Sequence, residues 1–148
     1  MGPGRRAPFA ESPMLSRSAA YALRAVLVLA EARADGAPPV SVAALAARLK
    51  VPRNYLSKVL HQLAGTGVVT SKRGPGGGFA LSLPPSDLTV GQVVAPFESL
   101  ETRALCVLGR GRCSEDAPCE AHAHWSPVSD ATRRFFQRTT VEALLASA

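Results

Sequence analysis

Apolar residues recur every three to four positions along the first half of the chain, and this spacing predicts three helices. The first should run from Ser16, a capping residue, to about Arg33, and it is apolar on two sides. Such a helix is either deeply buried or shared between subunits. The second should span 42–49, and the third should follow Pro52, which suits a first helical turn, to about Ala64.

Two short runs of strand-forming residues, 68–72 and 79–83, follow the third helix and predict a β-hairpin. The intervening segment 73–78, Arg-Gly-Pro-Gly-Gly-Gly, should form its exposed tip. Three helices followed by a hairpin is the order of a winged helix-turn-helix unit. The predicted fold class is therefore mostly α with a small β-hairpin wing.

The C-terminal part of the chain should add further helices. Thr89 and Gln92 have the spacing of a capping box for a short helix, and an amphipathic helix is expected at about 125–137. Thr139, with a glutamate three residues later, predicts a cap for a last helix at 140–146. Apolar helices beyond a compact winged unit need a partner surface, and a second copy of the chain is its simplest source. We therefore expect a C-terminal dimerisation helix and a homodimer.

These elements divide the chain into four segments. Residues 1–13 are rich in Pro, Gly and Arg and are expected to form a disordered N-terminal extension, with Met14 as an alternative start. Residues 14–100 should form the winged helix-turn-helix DNA-binding domain. The segment 101–124 should be a cysteine-containing loop, and 125–148 should hold the dimerisation and C-terminal helices.

The charge pattern of the winged region indicates a nucleic-acid partner. The 148-residue chain carries a net charge of +6, and the stretch 36–86 contains no Asp or Glu. Phosphate binding favours such a surface because each carboxylate would repel the DNA backbone. The same stretch contains six basic residues, which are Arg48, Lys50, Arg53, Lys58, Lys72 and Arg73.

The early part of the third helix is predicted to enter a major groove of double-stranded DNA, where Arg, Asn, Ser and Lys reach base edges. Arg73 at the wing tip should enter the adjacent minor groove, and the glycines after it should let the backbone approach phosphates. Charged helix faces are more often merely solvated, so the prediction depends on these features occurring together. The candidate DNA-binding residues are Arg53, Asn54, Ser57, Lys58, Arg73, Gly76 and Gly77.

Other classes of function find little support in the sequence. We find no paired acid and base, no nucleophile elbow and no cofactor loop, so the chain is not expected to be an enzyme. The turn at 73–78 lacks the Gly-Lys-Ser/Thr ending of a phosphate-binding loop. No apolar run resembles a signal peptide or a membrane span, which predicts a cytoplasmic protein without a membrane partner.

The three cysteines of the chain, Cys106, Cys113 and Cys119, fall within 14 positions, and His122 follows the last of them. Thiolates and imidazoles are ligands that suit iron–sulfur clusters, zinc or copper. The spacing contains no Cys-x-x-Cys pair of the kind usual in zinc sites, so it does not identify the metal. Three alternatives remain open: the cysteines could form a regulatory disulfide, they could be thiols without a special role, or His124 could be the ligand in place of His122.

Taken together, these segments resemble the Rrf2 family of bacterial winged-helix regulators over 14–145. The resemblance rests on Tyr-Ala-Leu-Arg at 21–24, Val-Pro-Arg-Asn-Tyr-Leu at 51–56, Ser-Lys-Arg-Gly-Pro-Gly-Gly-Gly-Phe at 71–79 and the three cysteines. It implies a homodimer whose cysteines hold an iron–sulfur cluster, with the presence or state of the cluster altering DNA affinity. It also adds Tyr55 to the DNA-contacting positions.

Within the family, the chain is most similar to the IscR-like branch, in which a histidine matching His122 is the fourth ligand of a [2Fe–2S] cluster. NsrR-like nitric oxide sensors use an acidic residue just before the N-terminal tyrosine, where this chain has Ala20. Two departures from IscR-like members are a cysteine interval that is one residue longer and Ser57, which replaces a glutamate that helps discriminate operators.

The sequence therefore predicts an iron–sulfur cluster-dependent transcriptional repressor that senses cluster status, redox state or nitric oxide. The resemblance favours a [2Fe–2S] cluster over a [4Fe–4S] cluster. The alternative is a constitutive, zinc-dependent or thiol-dependent winged-helix DNA-binding protein that holds no cluster.

Overall fold

The computed structural model describes residues 11–12, 14–100 and 105–148, so most of the predicted N-terminal extension lies outside the described residues. The described helices and strands follow one another in the predicted order, with a 3₁₀ turn at Pro85–Asp87. Their bounds are α1 Arg17–Ala34, α2 Val42–Leu49, α3 Arg53–Gly65, β1 Val69–Lys72, β2 Gly78–Leu81, α4 Val90–Val94, α5 His122–Arg138 and α6 Val141–Ala146. The mostly helical fold with a two-stranded wing is confirmed.

The first two helices begin where side-chain caps predict. The hydroxyl of Ser16 accepts a hydrogen bond from the Ala19 backbone N–H at 3.2 Å, and Ser41 caps α2 in the same way. Lys50 ends α2 in a left-handed backbone conformation with a φ of 56°. This sharp stop turns the chain within a few residues into α3, as the helix-turn-helix arrangement requires.

The hydrophobic core lies between α1, α2, α3 and the wing. Leucines of α1, α2 and α3 are among its largest fully buried side chains. Each such side chain stabilises the fold by about 1.5–3 kcal/mol relative to an exposed one. These leucines are Leu29, Leu45, Leu56, Leu60 and Leu63.

The wing is an antiparallel pair, β1–β2, in which Val69 lies opposite Leu81. An isolated bridge between Val40 and Phe79 adds the segment before α2 to its edge. Gly78 permits this close approach, because a Cβ at that position would lie 2.4 Å from the Val40 carbonyl. The base of the wing is therefore fixed against the helical core, and its tip extends into solvent.

The C-terminal elements return to the N-terminal helix. The capping box of Thr89 with Gln92 is present, and α4 contacts both α1 and α5. The Val90 N–H donates to the Thr139 carbonyl, and the Val141 N–H donates to the Leu88 carbonyl. These two hydrogen bonds link the start of α4 to the turn between α5 and α6. Among the described helices, none is both long and apolar enough to cross a bilayer.

Two details of the C-terminal prediction were wrong. Helix α5 begins at His122, three residues before the predicted start, because the N–H of Trp125 already donates to the Ala121 carbonyl at 2.8 Å. The cap of α6 is Thr140 and not Thr139, since its hydroxyl accepts from the Ala143 N–H.

Candidate metal centre and nucleic-acid interface

The segment that carries the first cysteine folds into a tight hairpin. The N–H of Cys106 donates to the Gly111 carbonyl at 2.7 Å, and the Gly109 N–H donates back to the Cys106 carbonyl at 2.9 Å. Leu105 and Arg112 form a bridge at its open end. Both glycines have positive φ, which side chains rarely tolerate. The hairpin therefore holds Cys106 at its base through backbone bonds of its own.

Helix α5 supplies the other wall of the site. The His122 backbone N–H donates to the Cys119 carbonyl at 3.0 Å, so the last cysteine directly precedes the helix start. Trp125, the one tryptophan of the chain, donates its indole N–H to the Leu105 carbonyl at 3.1 Å. Sequence reasoning missed this link, although the spacing of three places Trp125 and His122 on one helix face.

The four predicted ligands converge as two pairs. The sulfurs of Cys106 and Cys119 lie 3.3 Å apart, and the Cys113 sulfur lies 3.3 Å from His122 Nδ1. All four line one cavity of about 70 Å³, together with Arg110, Arg112, Ser114, Ala117 and Pro118. His124 is exposed and is not among these lining residues.

The paired arrangement bears on which metal group fits. Within the described residues, no three or more His, Cys, Asp or Glu side chains are grouped as ligands of one metal ion. A two-iron cluster takes two protein ligands on each iron, and histidine can replace cysteine there. Two pairs of sulfur and imidazole donors around one cavity are compatible with a group that contains two metal ions.

The two cysteines nearest the hairpin differ in acidity. The pKa of Cys106 is lowered because the Arg110 backbone N–H, the Cys119 thiol and the Leu108 backbone N–H donate hydrogen bonds to its sulfur. Burial raises the pKa of Cys113, and the neighbouring sulfurs add to the effect. The hairpin thus favours the thiolate form at Cys106, which is the form that binds metals.

Most of the predicted DNA-contacting side chains are exposed. Arg53, Asn54 and Lys58 are exposed along the first turns of α3, where Ser57 is half-buried. Arg73 is exposed at the wing tip. The structure thus places these side chains in positions open to a large ligand.

Tyr55 is arranged differently from its neighbours. It is half-buried, and its hydroxyl lies 2.5 Å from the Ser18 hydroxyl at the start of α1. Its ring packs edge-to-face on Tyr21, with 5.5 Å between centroids, and the Arg24 guanidinium lies 5.8 Å from the centre of the Tyr21 ring. Tyr55 therefore connects α3 to α1, a role that its position in the sequence did not reveal.

The wing glycines and one of the six basic residues have different surroundings. A Cβ at Gly77 would lie 2.3 Å from the Lys72 carbonyl oxygen, so the absence of a side chain there serves the turn itself. Gly76 has open space around it. Arg48 forms an ion pair with Glu31 of α1, which partly neutralises its charge.

Comparison with known sequences identifies the family. The family model Rrf2, described as an iron-dependent transcriptional regulator, matches residues 15–147. A protein of Haemophilus influenzae named as an HTH-type transcriptional regulator is 34% identical over 131 residues, covering 88% of this chain and 85% of that protein. The regulator IscR of Escherichia coli is 31% identical over 131 residues, covering 88% of this chain and 79% of IscR.

Solved structures show the same fold. CymR, the global cysteine regulator of B. subtilis, superposes with a TM-score of 0.75 at 23% identity, covering 93% of this chain and 99% of that one. IscR of T. potens gives a TM-score of 0.68 at 23% identity, covering 90% and 86%. The matched family and relatives are regulators of transcription, which confirms that the chain is a DNA-binding protein and not an enzyme. The chain belongs to the Rrf2 family of transcriptional regulators.

Proposed function

We propose that this protein is a repressor whose binding to operator DNA depends on an iron–sulfur cluster, most simply [2Fe–2S], held by Cys106, Cys113, Cys119 and His122. The observation that carries the proposal is the convergence of three thiols and one imidazole, as two pairs, around a single cavity. The named relative IscR and the description of the family as iron-dependent support it. A bound cluster would supply one-electron redox chemistry and sensitivity to nitric oxide or to iron supply.

The proposed DNA interface consists of the first turns of α3 and the wing tip. Arg53, Asn54, Ser57 and Lys58 would read or position the major groove, and Arg73 would enter the minor groove with Gly76 close to a phosphate. The support is the exposure of Arg53, Asn54, Lys58 and Arg73 in a segment that contains no acidic residue.

The proposed assembly is a homodimer formed through α5. Val128 and Phe135 on this helix are 51% and 45% exposed, and of its residues only Ser129 and Phe136 are buried within the described chain. Exposed apolar side chains on a long helix favour a second copy as the partner. A dimer would also place two α3 helices to read two half-sites.

A continuous series of contacts connects the candidate metal centre to α3. The Cys106 hairpin is bonded to Trp125 of α5, α5 packs on α4, and α4 packs on α1. Ser18 at the start of α1 meets the hydroxyl of Tyr55 in α3. Loading of the site would change DNA affinity only if it favours one arrangement of these elements, and couplings of this kind typically change affinity about 5–150-fold.

The test begins with anaerobic purification, followed by an absorption spectrum and by iron and sulfide analysis. We expect visible bands with about two irons and two sulfides per chain. His122→Ala should reduce the iron content and alter the spectrum, whereas His124→Ala, two residues away and outside the cavity lining, should leave both unchanged. Colourless protein that cannot be reconstituted, or protein holding zinc, would contradict the proposal.

The regulatory part needs a second measurement. Duplexes that the loaded protein selects from a random DNA library serve as the probe. The affinities of loaded and cluster-free protein for these duplexes should then differ by about 5–150-fold. Equal affinities would leave a DNA-binding protein whose cluster does not regulate it.

A further inference from the structure

We infer that Cys106 and Cys119 form a selective disulfide when the cluster-free protein meets a peroxide, which makes this pair a modification site. Their sulfurs lie 3.3 Å apart, whereas the sulfurs of a disulfide are about 2.05 Å apart. Closure therefore requires the two atoms to approach by about 1.2 Å, a distance within the reach of small side-chain rotations.

The third cysteine is directed to a different neighbour. The Cys113 sulfur contacts His122 Nδ1 at 3.3 Å, whereas the Cys106 sulfur contacts the Cys119 sulfur at the same distance. Backbone bonds hold both members of the reactive pair in place, because Cys106 lies in the closed hairpin and the Cys119 carbonyl accepts from the His122 N–H. The fold thus selects one of the three possible pairings of three cysteines.

The chemistry needs an oxidant, for which we name hydrogen peroxide. One thiolate sulfur attacks an oxygen of the peroxide, the O–O bond breaks, and the leaving hydroxide takes a proton to become water. The resulting sulfenic acid is attacked by the second sulfur, so that the S–S bond forms, the S–O bond breaks and water leaves. Two thiols lose two electrons and two protons in total, and hydrogen peroxide becomes two water molecules.

The disulfide would have a consequence for metal loading, which rests on the function proposed above. Cys106 and Cys119 form one of the two donor pairs, so a disulfide between them removes that pair from the candidate metal centre. Oxidised protein should then accept a cluster only after reduction by a dithiol. One loop would in this way respond both to cluster supply and to peroxide.

The test uses the full cluster-free chain treated with hydrogen peroxide and then with iodoacetamide under denaturing conditions. Intact mass should show one alkylated cysteine where untreated protein shows three. Trypsin should release peptide 104–110 linked to peptide 113–133, and fragmentation of the second peptide should place the link at Cys119. Cys113→Ser serves as the matched control and should still form the link, whereas Cys119→Ser should retain two thiols that react with iodoacetamide.

Three outcomes would overturn the inference. They are three alkylated cysteines after peroxide treatment, oxidation of single sulfurs to sulfinic acid, or a link that fragmentation places at Cys113. Because the wild-type chain alone distinguishes these outcomes, misfolding of a variant does not affect the decision. The protein carries no metal in this experiment, so failure of the cluster proposal and failure of the disulfide are observed separately.

Discussion

The hydroxyl group of Tyr55 tests how α3 is held against the rest of the fold. Tyr55→Phe removes the 2.5 Å hydrogen bond to Ser18 and keeps the ring that packs on Tyr21. A hydrogen bond of this kind contributes about 0.5–1.5 kcal/mol net. Both side chains are half-buried, so water can partly replace the lost partner, and the lower half of that range applies. We expect Tyr55→Phe and Ser18→Ala each to lower the free energy of unfolding by about 0.5–1 kcal/mol.

The assay is a double-mutant cycle measured by urea unfolding at one fixed protein concentration. If the two hydroxyls stabilise the fold through each other, the double variant should lose about as much as either single variant, which gives a coupling of about 0.5–1 kcal/mol. The salt dependence of binding to duplex DNA should stay unchanged in Tyr55→Phe, since a neutral hydroxyl displaces no counterion.

Two results would refute this reasoning. Additive losses in the double variant would show that the hydroxyls act independently. Unfolding equal to wild type together with weaker DNA binding in Tyr55→Phe would assign the hydroxyl to DNA contact, as the family resemblance implied.

Two further predictions use matched pairs of variants. Arg73→Ala should weaken binding to duplex DNA and reduce the slope of log affinity against log salt by about one in anisotropy titrations. Arg48 is ion-paired with Glu31, so Arg48→Ala should leave this slope unchanged. Equal slope changes in the two variants would argue against a wing contact. Gly91→Ala places a Cβ 2.6 Å from the Phe136 carbonyl oxygen and should cost about 1–3 kcal/mol in urea unfolding. Gly65→Ala, in open space, should be neutral or stabilise by up to about 1 kcal/mol; similar losses in both would contradict the packing.

The order of the elements and most helix starts could be predicted because their causes are local. A hydroxyl cap acts over three residues, so Ser16 and the Thr89–Gln92 box were identified from sequence alone. The cap of the last helix was misplaced by one residue because two threonines stand side by side there. Thr139 caps the end of α5, and its carbonyl accepts a hydrogen bond from the Val90 N–H of α4. The next residue, Thr140, is therefore the one that caps α6.

Side-chain partners distant in the chain could not be predicted. Tyr55 and Ser18 are 37 residues apart, and Arg48 meets Glu31 across two helices. Gly77 was predicted to let the backbone approach phosphate, and the structure adds a contact that the sequence did not reveal, because a side chain there would overlap the backbone of the turn. Periodicity defines which face of a helix is buried, whereas the packing angle between helices decides which residues on that face meet.

The sequence by itself determined the set of candidate ligands at the metal centre, which are three thiols and one imidazole. Only the tertiary structure decided that Cys106 lies against Cys119 and Cys113 against His122, with His124 outside the cavity lining. The physical reason is that an irregular loop has no repeat from which directions can be inferred. Its pairings are set by the hairpin bonds around Cys106 and by the early start of α5, which depend on contacts between segments.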